Sequence, residues 1–355
     1  MSAAAVKKLH WHTAFGVTAV EEPPFRLGTK ALRPFSERAG VACRAASLPL
    51  RRVLADFGAD HAVGRAPDKL REHYGIAMPA STARRTAERH AQSLLERERA
   101  REIPAGTAQG RLFVGEMDGS MAPVVEATRD APPTSARAGP WRGRRPGSAS
   151  CIRWGGAAPV FGGHFAGGVE ESGRQWARCA AKAGFGADSH LHAVGDGAPW
   201  IASQVEACFG TQGSYRVDFY HLCECLGAAS PACAAHSAEA WLDAQKDRLK
   251  ANRAEAVPAA LAPCLEAGCG GPVADCDRHL RNRLSQLDYR GALGRGLPIG
   301  SGEIESAHRH VVQERLKLPG AWWTPANVEA MLALRLNRAN RECGDYWGCV
   351  EKEAA

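Results

Sequence analysis

The chain has 355 residues, 45% of them hydrophobic and 23% charged, and a formal net charge of +7. That length accommodates two or three domains with a sizeable core, and the basic balance suits a polyanion partner without requiring one. No run of about 18 apolar residues occurs, so no membrane span is expected, and MSAAAVKKLHWH lacks the apolar stretch of a signal peptide, which points to the cytoplasm.

Residues 1–40 contain WHTAFGVTAVEEPPFRL, whose alternation and β-branched residues suggest a short hairpin. Residues 41–60 read as helical. APDKLREHYGI has Pro67 just inside a helix start and Gly75 near its end. MPASTARRTAERHAQSLLERERAR follows as a second helix, with Ser81 as the expected N-cap. Helix, short Gly-containing turn, helix is the helix-turn-helix pattern. The second helix carries Arg84, Arg85 and Arg89 beside Thr82 and Thr86, which suit phosphates and major-groove base edges. The solvated face of a helical bundle has the same composition, so a DNA-binding region over 1–105 needs support from downstream.

RLFVGEMDGS (111–120) reads as a strand ending at Asp118. Residues 168–185 form an amphipathic helix with Val169, Trp176, Cys179 and Ala180 on one side. SHLHAVGDGAPWIASQVEACFG gives a strand, then Asp196, then a helix begun by Pro199. SYRVDFYHLCECLGAAS is a third strand running into a helix. Strands alternating with helices, with acids at the strand ends, suit an α/β core. Residues 227–298 are Ala-rich and charged with no strand signal, and read as an all-helical insertion. SAHRHVVQERLKL and TPANVEAMLALRLNRANRECGDYW are closing helices, so the core spans 106–226 and 299–355.

The twelve cysteines contain no C-x-x-C pair. Reduced thiols are the expected state, and a loop zinc site using Cys264, Cys269 and Cys276 is the alternative.

Three acids occupy distinctive settings: Asp118 in VGEMDGSM, Asp196 in HAVGDGAPWI and Glu305 in PIGSGEIESAHR. Any single Asp-Gly is ordinarily a surface turn. Together, three carboxylates from distant parts of a chain can hold two divalent cations, and two-metal sites cleave and join phosphodiester bonds.

These residues resemble the DDE transposases of bacterial insertion sequences, Kra-type family, more distantly the Mutator-like elements. The resemblance covers about residues 10–126 and 157–347. It rests on DGSM at 118–121, HAVGDGAPWI at 192–201, VDFYH at 217–221 and PIGSGEIESAHRHVVQERLKLPGAWW at 298–323. It implies an RNase H-like α/β core with an all-α insertion, preceded by a mostly helical helix-turn-helix region. By position, Asp118, Asp196 and Glu305 are its three acids, with Glu303 competing for the third place. Asp218 and His221 match a D-x-x-H motif whose implied role is to support the site or contact DNA phosphates; a helix cap and a satisfied core histidine are the plainer readings. The implied cofactor is a pair of Mg²⁺ or Mn²⁺ ions held by the three acids. The implied partners are transposon-end and target duplex DNA, bound by a homodimer or larger assembly in the bacterial nucleoid.

Basic and aromatic residues follow Glu305. His308 and Arg309 lie on the helix that carries Glu305, Arg309 one helical turn on and near enough to meet a phosphate, with Arg315 and Lys317 beyond. Trp322 and Trp323 suit stacking on an unpaired base or buried packing.

Residues 127–156, TRDAPPTSARAGPWRGRRPGSASCIRWGG within them, depart from the family pattern. They are rich in Pro, Gly, Arg and Ser and show no strand period, so the central sheet is expected to lack neighbours there and expose its edge. Codons chosen for Arg142–Gly155 give WKEARLC in the adjacent reading frame, which resembles the family's strand. A compensated pair of frameshifts explains this; the nucleotide sequence over codons 125–157 tests it. Such a copy would be inactive, because metal catalysis does not tolerate misplaced ligands.

Two other readings remain open at the sequence level: a transposon-end DNA-binding protein without catalysis, and an RNase H-like nuclease without strand transfer. A glycosidase is disfavoured, since aromatics are only 7% and no sugar-binding platform is evident.

Overall fold

The computed structural model describes residues 7–27, 30–41, 45–103, 106, 111–125, 147–153, 156 and 158–354. The chain divides into two compact units. The first is Met1–Arg101, Ala122–Arg144 and His310–Ala355; the second is Glu102–Met121 and Arg145–Arg309.

The first unit opens with the expected hairpin, β1 (Lys7–Thr13) paired antiparallel with β2 (Gly16–Glu22). A second pair follows, β3 (Phe25–Leu27) with β4 (Lys30–Leu32). The Glu22 carboxylate then accepts from the backbone N–H groups of Phe35 and Ser36, capping the short α1 (Pro34–Arg38). Helix α2 (Leu48–Asp60) starts at Ser47, whose hydroxyl accepts from Leu50 N. Helix α3 (Ala66–Tyr74) ends at Gly75 with φ 66°, a left-handed cap that glycine adopts without strain. Helix α4 (Ala80–Ala100) begins after Pro79 with no side-chain cap, so Ser81 lies inside the helix rather than capping it. Leu50, Leu54, Leu70, Ile76 and Ala83 form the core of this group. Gly58 allows α2 to lie against Ala87 of α4; a Cβ there would sit 2.5 Å from the Ala87 methyl.

The second unit is built on a five-stranded sheet. Its strands are β5 (Leu112–Gly119), β6 (Gly147–Arg153), β7 (Val160–His164), β8 (His190–Gly195) and β9 (Gly213–Val217). Their spatial order is β7-β6-β5-β8-β9, with β5, β8 and β9 parallel and the other pairings antiparallel. Helix α5 (Val169–Lys182) follows β7, and α6 (Pro199–Phe209) links β8 to β9, starting at Pro199 as its sequence suggests. Side chains alternate across a strand. Phe113, Gly115 and Met117 of β5 share one face. Gly115 makes room for Trp176 of α5, since a Cβ there would lie 2.8 Å from the indole nitrogen. Val114, Glu116 and Asp118 therefore share the opposite face.

The departure expected over 127–156 is corrected in part. Gly147–Arg153 forms β6, which pairs with β5 from Phe113↔Arg153 to Gly119↔Gly147 and with β7 on its other side. The sheet therefore has the neighbour it was expected to lack. Main-chain groups make the ladder, and a proline-free run of seven residues supplies them whatever its side chains. Residues 126–146, 154 and 155 lie outside the described residues.

Helix α7 (Phe219–Cys233) leaves β9. The following helices are α8 (Ala238–Lys250), α9 (Ala256–Glu266), α10 (Pro272–Arg281) and α11 (Tyr289–Gly294). The stretch 227–298 thus contains no strand, as its composition suggests. Helix α12 (Gly302–Ala307) comes next and runs into a π-turn, His308–Gln313.

The final elements, α13 (Glu314–Leu316), α14 (Pro325–Ala339) and α15 (Cys343–Ala354), belong to the first unit and not, as expected, to the one containing the sheet. Their sequences carry the reason. Arg335 of α14 donates to Ala59 O and the Asp60 carboxylate at the end of α2, and Tyr346 of α15 hydrogen-bonds buried His90 of α4 at 2.7 Å.

Candidate functional site

Strand register brings the acids together. The parallel ladder of β5 and β8 runs from Leu112↔His190 to Glu116↔Val194, so two residues further on Asp118 and Asp196 stand at the same level. The ladder of β8 and β9 ends at Gly195↔Val217, so Asp196 and Asp218 also stand level, one residue on. Asp218 N donates to Gly195 O at 2.6 Å, extending that ladder. Three aspartates thus form a row across the C-terminal ends of three adjacent parallel strands, where open α/β sheets carry their sites.

Helix α12 delivers the fourth acid to this row, and Asp218 holds the turn before it. Asp218 Oδ2 accepts from Ser301 N at 2.6 Å and Ser301 Oγ at 2.5 Å. Its Oδ1 accepts from Tyr220 N and His221 N, capping α7. The G-S-G motif is explained residue by residue: a Cβ on Gly300 would lie 2.6 Å from the Tyr220 ring, Ser301 binds Asp218, and Gly302 opens α12. Glu116, buried two residues before Asp118 and on its face, accepts from Ile304 N at 2.8 Å and so caps α12 from beneath. His192 Nε2 donates to Pro298 O at 2.8 Å, fixing the approach to the turn.

Glu305 is exposed, with Oε1 4.0 Å from His221 Nδ1. The same Nδ1 lies 3.5 Å from Asp218 Oδ2. Glu303 is also exposed, and its charge helps push up the carboxyl of Glu116. Glu305, not Glu303, therefore stands with the D-x-x-H residues. Asp118 Oδ2 pairs with His308 Nδ1 at 3.0 Å. Asp196 Oδ1 accepts from Ala198 N at 2.8 Å in a tight turn. Gly197 in that turn has φ +89° and packs against Arg283 and His279, the former donating from Nε to Gly197 O.

The electrostatics follow from these contacts. Burial would raise Asp218, but hydrogen bonds from His221 and Ser301 outweigh it and lower the carboxyl to about 2. The same bond to Asp218 raises His221 to about 9. Asp118 is opposed by burial yet held below its ordinary value by His308 and the Gly119 N–H. Glu116 goes the other way: burial raises it to about 7 against the opposing Ile304 N–H.

Asp218, His221 and Glu305 present ligand atoms within 4.8 Å of one another and could hold a metal ion. Asp118, Asp196 and Glu305 do not converge to that distance as a trio. Ligands that bind two ions about 3.5–4 Å apart need not do so. Asp218 is 1% exposed, and four donors already occupy its oxygens, so its lone pairs are largely committed within the protein.

The expected DNA contacts separate into two groups. Arg84, Arg85 and Arg89 are exposed on α4, although Arg84 lies 3.9 Å from Glu88 and Arg85 Nε donates to Ser81 O. Arg309 and Trp322 are exposed, and Lys317 is half-buried. Arg315 and Trp323 are corrected. Arg315 is buried, donates to Gly58 O and lies 4.7 Å over the Trp323 ring, and burial pulls it down to about 10. Trp323 is buried and donates from Nε1 to Leu316 O. Both are packed inside the protein, which for Trp323 is the buried-packing reading. The zinc alternative is corrected too. Among the described residues Cys264, Cys269 and Cys276 form no metal-ligating group, and Cys264 Sγ donates to Ala232 O at 3.7 Å.

Sequence alone marks His308 as one of the basic residues beside Glu305 but not as a partner of Asp118, and it does not single out Glu116 or Ser301. Period-two alternation before Asp118 marks Glu116, and D-x-x-H beside G-S-G hints at Ser301; nothing in the sequence marks the π-turn that aims His308. No protein-family model matches the chain, and no curated protein matches it.

Proposed function

We propose that this chain is a DDE-type transposase, with an RNase H-like core that cleaves and joins DNA strands at Asp118, Asp196 and Glu305. The observation that carries this reading is the row of aspartates on three parallel strand ends, with Glu305 presented beside it by α12. The sheet order β7-β6-β5-β8-β9 supports the same reading.

An all-carboxylate donor set suits a hard divalent cation such as Mg²⁺ or Mn²⁺, and poorly suits zinc or copper. Two such ions, when bound, supply an activated water or 3′-OH and stabilise the leaving oxygen. Asp118, central in the sheet, would hold the ions together with Asp196 beside it and Glu305. Asp218 holds the G-S-G turn so that α12 presents Glu305. His221, paired to Asp218, directs positive charge toward Glu305 and toward any phosphate entering there. Exposed Arg84, Arg85 and Arg89 suit DNA phosphates.

A second reading has its own support: the convergence of Asp218, His221 and Glu305 favours one ion at that place. The occupied oxygens of Asp218 argue against it.

The test is cleavage of a plasmid carrying the gene with its flanking DNA, by the purified chain in Mg²⁺. Asp118→Asn or Glu305→Gln should abolish strand cleavage while DNA binding persists. Cleavage at wild-type rate in either variant refutes the assignment. Binding without any metal-dependent cleavage points to a transposon-end binding protein, and cleavage without strand transfer to a nuclease.

A further inference from the structure

Asp118 has a partner that the three-acid scheme leaves out. His308 is 5% exposed, and its Nδ1 lies 3.0 Å from Asp118 Oδ2. The other Asp118 oxygen accepts from Gly119 N at 2.6 Å, so the carboxylate is held at both ends. His308 Nε2 is buried and has no hydrogen-bond partner among the described residues. Buried ring nitrogens are ordinarily hydrogen-bonded, and one that is not asks for an explanation. The local backbone is unusual as well: His308 opens the π-turn His308–Gln313, immediately after the helix that carries Glu305. Single π-turns inside helices are rare and concentrate at functional positions.

We propose that His308 is a positioning residue for Asp118: the Nδ1–H fixes the rotation of the carboxylate, and the π-turn places the ring to do so. This rests on the reading of Asp118 as a metal ligand. One helical segment would then serve two acids, presenting Glu305 directly and orienting Asp118 through His308. The proposal requires the hydrogen bond from Nδ1, not merely the volume of the ring.

Mn²⁺ affinity of the full-length chain, measured by calorimetry without DNA, tests it. His308→Ala should weaken Mn²⁺ binding about 10–100-fold, the usual effect of losing a hydrogen bond to a ligand. His308→Asn places an amide nitrogen where Nδ1 was and should restore most of the affinity. His308→Gln places its amide nearer the Nε2 position and should not. Asn and Gln behaving alike, or wild-type affinity in His308→Ala, overturns the proposal. Asp118→Asn is the control. If it binds Mn²⁺ as tightly as wild type, the metal reading fails and this proposal with it. If it loses binding while His308→Ala keeps it, this proposal alone fails.

Discussion

At the scale of single residues, the candidate site depends on which carboxylates are solvated and which are committed. Asp218 is committed: buried, ionised and saturated by four donors. Asp218→Asn turns an amide N–H₂ toward donors and should cost about 3 kcal/mol in urea denaturation. A loss below about 0.5 kcal/mol would mean the network is not formed. Glu116 carries the opposite sign. Its folded pKa of about 7 exceeds the ordinary 4.5, so the fold favours its protonated form. The stability it confers is full below pH 4.5 and declines as pH rises to about 7. Glu116→Gln should flatten the stability profile across that window, as read by thermal melts at a series of pH values. His221, raised to about 9 from 6.5, stabilises fully below pH 6.5 and loses that contribution as pH rises through about 9. Its ring is partly exposed, so solvent screens the effect. Asp218 was legible in the sequence as part of D-x-x-H; its bond to Ser301 was not, because 83 positions separate the two.

At the scale of elements, sequence patterns identified helices and strands well but not which faces they bury. The two arginine sets show this. Arg84, Arg85 and Arg89 occupy the exposed side of α4, while Arg315 and Arg335 have the same chemistry and are inside. Arg335 donates to Val311 O, His310 O, Ala59 O and the Asp60 carboxylate. Arg335→Ala should therefore destabilise the chain by about 3 kcal/mol, whereas a triple Ala variant of Arg84, Arg85 and Arg89 should leave stability within about 0.5 kcal/mol. The triple variant should instead lower the slope of log Kd against log salt by about one unit for each phosphate that an arginine no longer neutralises. An unchanged slope would remove α4 from the DNA-binding surface. Element β6 teaches a different lesson. Its segment showed no strand period, yet it pairs on both sides, because backbone groups and flanking strands decide membership of a sheet that side-chain pattern alone cannot predict. If the gene holds two compensating frameshifts, the strand as written is a replacement that still completes the ladder.

At the scale of the whole molecule, the parallel strands β5, β8 and β9 explain why three short motifs far apart in the chain belong together. Each ends at an aspartate, and the registers put the three on one level. That much was readable from apolar runs ending in Asp. The delivery of Glu305 was not, since it depends on the Asp218–Ser301 and Glu116–Ile304 bonds across the sheet end. Nor was the division into units, because the basic and apolar residues of α14 suit more than one packing partner. The central claim, that Asp118, Asp196 and Glu305 and not the D-x-x-H pair ligate metal, comes down to stoichiometry. Calorimetric titration with Mn²⁺ should give two ions per wild-type chain, with binding lost in Asp196→Asn and retained, though weakened, in His221→Gln. A single ion per chain, unaffected by Asp196→Asn and abolished by His221→Gln, would contradict the account.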